Sequence, residues 1–132
     1  MTMMKTMIAA LALTVSAPAM AQEAPPALDV EHFDAMVMSH LEVTLRDPFS
    51  AVLRQTTAPR FVEGEIKRGL LGKKPYRGWM ACYNLNAKNA YGAYTGFKRV
   101  AYLVDGGTIT PFEGSESAAV TWDEQVMRRH CT

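Results

Sequence analysis

Between residues 86 and 96 the chain collects Asn86, Lys88, Asn89, Tyr91, Tyr94 and Thr95, with Gly92 and Gly96 among them. Amide, ammonium, hydroxyl and aromatic groups in one short stretch supply hydrogen-bond donors and acceptors, a cation and flat apolar area. That mixture suits recognition, where tyrosine and asparagine combine contact area with adaptable hydrogen bonding. The same residue types also build purely structural loops, in which asparagines bond nearby backbone, tyrosines pack on a sheet and glycines take positive φ. An enzyme would draw on Asn84, Asn86, Lys88 and Tyr94, but the recurring catalytic patterns are missing. No Gly-x-Ser-x-Gly turn occurs, and residues 69–74 lack the spacing and hydroxyl of a phosphate loop. Glu63 and Glu65 fall on one strand face, as at a solvated edge. His32 and His40 are eight residues apart, not the three or four that a helical metal site needs. The sequence therefore names no catalytic residue, no metal ligand and no cofactor.

The elements that must position this loop are legible on either side of it. Before it, Trp79, Ala81, Tyr83, Leu85 and Ala87 alternate with Met80, Cys82, Asn84 and Asn86, the period of a strand. After it, residues 97–104 become apolar on both faces: Ala101 and Leu103 on one, Val100, Tyr102 and Val104 on the other. A strand of that kind is central and covered on both sides. The connection needs about ten residues, where hairpins usually take two to five, and long loops on a rigid sheet often carry function. Asp105-Gly106-Gly107 is a turn into a short strand at 108–112.

Upstream, residues 29–46 predict an amphipathic helix. Asp29 is its cap, and Phe33, Met36, Val37, Leu41, Thr44 and Leu45 lie along one face. Asp47-Pro48 ends it, and Asp47 can cap a further short turn. Residues 52–57 and 61–67 read as two strands, interrupted by Ala58-Pro59, the second with a bulge at Gly64. Residues 68–77 read as a basic, exposed connection, with Leu70-Leu71 folding back on the body. At the other end, residues 114–119 read as loop or loose helix. Thr121 and Glu124 then form a capping box opening a terminal helix, with Trp122, Val126 and His130 on one face.

Lys5, the uncharged apolar run from Met7 to Val15 and the small residues Ala19 and Ala21 have the order of a secretory leader cleaved before Gln22. The apolar run is shorter than the roughly 20 residues a bilayer span requires. Removing 21 of 132 residues leaves 111, enough for one domain with a modest core. Removing Lys5 also balances the chain at thirteen basic and thirteen acidic side chains. That balance argues against a general nucleic-acid or membrane binder. Locally, residues 60–105 hold nine basic and three acidic residues, either a basic face or one half of a self-complementary fold. Cys82 and Cys131 are the two cysteines. In an oxidising compartment an even count favours a bridge.

Two stretches carry a resemblance. Leu45-Arg46-Asp47-Pro48-Phe49-Ser50-Ala51 and Cys82-Tyr83-Asn84-Leu85-Asn86-Ala87-Lys88-Asn89-Ala90-Tyr91-Gly92-Ala93-Tyr94-Thr95-Gly96-Phe97 resemble a family of small exported bacterial proteins. That family has an L-x-D-P-x-S-A helix end and a C-x-x-L-N-A-K-N-x-Y-G-x-Y-x-G-F segment. The resemblance implies an exported small domain and assigns it no activity. Phe49 stands where the first motif would have a small acidic or polar residue.

The expected architecture is a leader at 1–21, a flexible lead-in at 22–28 and a single α+β domain at 29–132. Its antiparallel sheet has about four or five strands, with an N-terminal helix and a short C-terminal helix packed on it. The expected role is a periplasmic or secreted binding module whose site is Asn86, Lys88, Asn89, Tyr91, Tyr94 and Thr95. Its partner would be an envelope protein or a small ligand, not nucleic acid, and the mature chain would not span the membrane. An inhibitor or accessory subunit of a cell-envelope enzyme, and a small enzyme near Asn84, Asn86, Lys88 and Tyr94, are the alternatives.

Overall fold

The computed structural model describes residues 23–115 and 121–132. The expected leader, its cleavage site and most of the 114–119 segment lie outside the described residues. Helix α1 spans Val30–Thr44, with the Asp29 carboxylate accepting from the His32 amide. Its stripe is the one the spacing predicts except at Thr44, which is exposed and donates its hydroxyl to the His40 carbonyl. Phe33, Val37 and Leu41 are buried, and Met36 and Leu45 are partly buried beside them. The helix stops at Thr44, so Arg46 lies beyond its last turn. A 3-10 turn follows at Pro48–Ser50, capped by the Asp47 carboxylate.

Four strands are described: β1 (Val52–Lys67), β2 (Lys73–Asn86), β3 (Lys98–Asp105) and β4 (Thr108–Glu113). They form an antiparallel meander in the order β1-β2-β3-β4. Helix α2 (Trp122–His130) is capped by Thr121, whose hydroxyl accepts from the Glu124 amide.

Alternate residues of β2 and β3 face opposite ways, and each face has its own helix. Ala81, Tyr83, Leu85, Val100, Tyr102 and Val104 pack with Phe33, Val37 and Leu41 of α1. Met80, Cys82, Ala101, Leu103 and Phe112 pack with Val126 and Met127 of α2. The result is three layers, helix, sheet and helix, in which β2 and β3 are covered on both sides. A Cys82–Cys131 disulfide, Cα atoms 5.7 Å apart, ties the end of α2 to β2. No described helix is long and apolar enough to cross a membrane.

Four expectations change. The two strands expected around Ala58-Pro59 are one strand, β1, whose register shifts between Gln55 and Thr57 and again between Thr57 and Arg60. Because β1 is an edge strand, Pro59 can lack its N–H there without breaking the ladder. Most of the expected connection at 68–77 is strand as well. Lys67 pairs with Lys73, and the β1–β2 ladder runs on from there. Leu70 and Leu71 do not fold back; both are exposed at the hairpin tip. On α2, Val126 is buried but Trp122 is 43% exposed, with the Arg68 guanidinium 4.9 Å from its ring centroid.

Candidate functional site

Residues 87–97 leave the end of β2 and return into β3 as a braced loop. Asn89 organises its tip. Its Oδ1 accepts from the Tyr91 and Ala93 amides at 2.9 and 3.2 Å. Its own amide donates to the Ala93 carbonyl at 2.9 Å. At the base, Asn86 Oδ1 accepts from the Gly96 amide at 3.2 Å. Lys88 and Tyr94 bridge the two arms. Both asparagines thus act on the backbone of the loop itself, as short polar side chains do in turns.

The second brace comes from the turn after α1. Ser50 Oγ accepts from the Lys88 amide at 2.9 Å and donates to the Asp47 carbonyl at 2.8 Å. The Tyr94 hydroxyl donates to the Ser50 carbonyl at 3.0 Å. Two stretches far apart in sequence, those that carry the two motifs, therefore form one surface. What this framework presents outward is aromatic. Phe49 is fully exposed, Tyr91 is 94% exposed and Tyr94 is half-exposed. Lys88 Nζ sits 5.6 Å from the Tyr94 ring centroid, within cation–π range.

Beside the loop is an open cavity of about 250 Å³ between the end of α1 and β3. Arg46, Lys88 and Lys98 line it together with Asn89 and Thr95. No carboxylate lines it, and among the described residues none of the three cations is in an ion pair. The cavity is therefore suited to a carboxylate or another anionic group with hydrogen-bond capacity. An adjoining cavity of about 320 Å³ extends along α1 past His40 and shares Lys98.

The six residues expected to form the site separate by role. Asn86 and Asn89 brace the loop, and Lys88, Asn89 and Thr95 line the cavity. Tyr94 is half bracing and half presented, while Tyr91 points outward. Arg46, Phe49, Ser50 and Lys98 join them from other segments, and sequence reading did not place them there. Phe49 and Ser50 had a signal, Phe49 as the residue that departs from the first motif and Ser50 as one of its fixed positions. Of the alternative catalytic set, Lys88 and Tyr94 meet across the loop and Asn86 braces its base. Of Asn84, Asn86, Lys88 and Tyr94, only Lys88 lines the cavity beside the loop. Asn84 belongs to the face of β2 that carries Met80 and Cys82, on the α2 side.

The histidines of α1 have structural contacts. His32 Nε2 donates to the Gly106 carbonyl at 2.7 Å, and His40 meets the Tyr102 ring edge to face at 5.4 Å. Among the described residues no group of three or more His, Cys, Asp or Glu could hold a metal. Comparison with protein families, curated proteins and solved structures finds no match for the chain.

Proposed function

We propose that the protein is an exported, disulfide-stapled binding module that recognises an envelope partner with the 86–96 loop and the adjoining Pro48–Ser50 turn. The observation that carries this reading is the contrast between a hydrogen-bonded loop backbone and the aromatic side chains it leaves exposed. Phe49 and Tyr91 contribute almost nothing to the core, yet the backbone beneath them is held by Asn86, Asn89 and Ser50. Rigid presentation of aromatic groups reduces the ordering cost of association. The cationic cavity beside them would take an acidic side chain or carboxylate of the same partner. Export is supported by the charge, apolar and small-residue order of the leader and by the disulfide, which belongs to oxidising compartments. An inhibitor or accessory subunit of an envelope enzyme would use the same surface.

The test is affinity capture from envelope extract with the wild type, Phe49→Ser and Tyr91→Ala. A partner held by the wild type and lost by both variants, at unchanged melting temperature, is the expected result. Equal recovery on all three baits would refute the assignment of this surface.

A further inference from the structure

The β1–β2 hairpin ends in a tip unlike the rest of the surface. The Arg68 amide donates to the Gly72 carbonyl at 2.7 Å, and the Leu71 amide to the Arg68 carbonyl at 3.1 Å. Gly69 and Gly72 have φ of 60° and 83°, left-handed values that glycine adopts without a Cβ clash. This closed turn holds Leu70 and Leu71 at the apex. Leu70 is fully exposed, Leu71 is 78% exposed, and neither belongs to a core cluster.

Just below the apex the charge is positive. Residues 63–77 hold five basic and two acidic side chains. Lys67, Lys73, Lys74 and Arg77 are all exposed. Lys67 lies directly opposite Lys73 in the ladder, an arrangement of like charges that costs stability in isolation. Glu65 pairs with Lys73 at 3.4 Å, while Lys67 and Lys74 have no ion pair among the described residues. Exposed leucines and facing lysines are each unfavourable in water. Both become favourable where hydrocarbon lies above the tip and anionic groups surround its neck.

We propose that this hairpin tip docks the protein on an anionic lipid bilayer, with Leu70 and Leu71 entering the acyl boundary and the lysines and Arg77 among the headgroups. The bilayer is the occupant that fits the layout. The tip is a narrow, convex apex of two side chains, whereas a stable protein interface buries on the order of 1,000 Å² or more. Apolar residues backed by cations are the usual arrangement for peripheral binding to anionic lipid. The balanced charge of the whole chain conceals this concentration. The inference is independent of the loop proposed above to bind a partner. Tip and loop stand at opposite ends of β2, whose 14 residues span roughly 45 Å. The docked protein would therefore hold the loop away from the membrane.

The experiment is flotation of the exported protein with vesicles of phosphatidylcholine, with and without phosphatidylglycerol. The wild type should bind the phosphatidylglycerol vesicles and release as salt rises. Leu70→Ser/Leu71→Ser should weaken binding by roughly tenfold or more. Lys67→Gln/Lys74→Gln should weaken it by roughly fivefold per charge. Circular dichroism should show both double variants folded, since these side chains are exposed. Tyr91→Ala should bind vesicles like the wild type, which separates this inference from the reading of the loop. Wild-type protein that ignores both vesicle types would overturn the proposal. So would vesicle binding unchanged by the leucine pair, or a dimer in solution that the leucine pair dissociates, which would make a second copy the occupant.

Discussion

Glu124 lies buried on α2, held from three directions. Arg99 Nη2 donates to both carboxylate oxygens at 3.0 Å, Arg128 Nε donates at 3.1 Å and the Ser115 amide at 3.0 Å. The Ser115 amide first, and then Arg99, bring its pKa down from 4.5 to about 2, against the opposing effect of burial. A carboxylate whose folded pKa is depressed stabilises the fold above its unfolded pKa and loses that contribution as pH falls through the folded value. Stability from Glu124 should thus be complete above pH 4.5 and decline toward about pH 2. In Glu124→Gln the acid-unfolding curve should flatten in that window. At neutral pH the variant should lose about 1–3 kcal/mol in urea unfolding, the scale of hydrogen bonds to a charged group. His130 acts in the same sense, in a higher pH window. Burial, then Arg60 and Arg129, lower its pKa from 6.5. Its folded form prefers to be neutral, so stability should be complete above pH 6.5 and fall as the unfolded chain takes up the proton. Gly78 is a residue whose role no periodicity could reveal. Its φ is 150°, and a Cβ there would lie 2.6 Å from the Val104 carbonyl oxygen. Gly78→Ala should cost about 2–4 kcal/mol by chemical denaturation, because backbone must move.

At the scale of elements, α1 was readable because its burial repeats every three or four residues, and β3 because its two apolar faces signal a covered strand. The long β1–β2 hairpin was not. Pro59 and the glycines near Leu70 look like interruptions in a list of residues, but an edge strand tolerates a missing donor and a tip requires positive φ. The 86–96 loop divides in the same way. Its composition marked it, while the assignment of each side chain to bracing or presentation needed the Ser50 and backbone contacts. Urea unfolding checks that division. Tyr91→Ala should change stability by about 0.5 kcal/mol or less, as for exposed positions. Ser50→Ala should cost about 1 kcal/mol, since it removes the acceptor of the Lys88 amide. Lys88→Ala and Tyr94→Ala each losing far more than Ser50→Ala would make the loop purely structural.

For the whole molecule, the disulfide fastens the last helix to a central strand across 49 residues of sequence. Closing a loop of that size is worth roughly 4 kcal/mol on chain-entropy grounds. Cys82→Ser and Cys131→Ser should therefore lower the melting temperature by the same amount, and the double variant by no more than either, because one bond is lost in every case. Composition and local pattern alone determined the α+β class, both helix caps, the opposed faces of β2 and β3 and the pairing of the cysteines. Each follows from a period, a short-range hydrogen bond or a count, and needs no knowledge of distant neighbours. Only the tertiary structure decided that the helices cover opposite faces of the sheet, that Arg46 and Lys98 meet Lys88 at one cavity, and that Leu70 and Leu71 stand clear of the core. These depend on which segments pack together. Local sequence does not encode that choice, because an apolar or charged side chain has the same chemistry whether a distant strand covers it or leaves it to solvent.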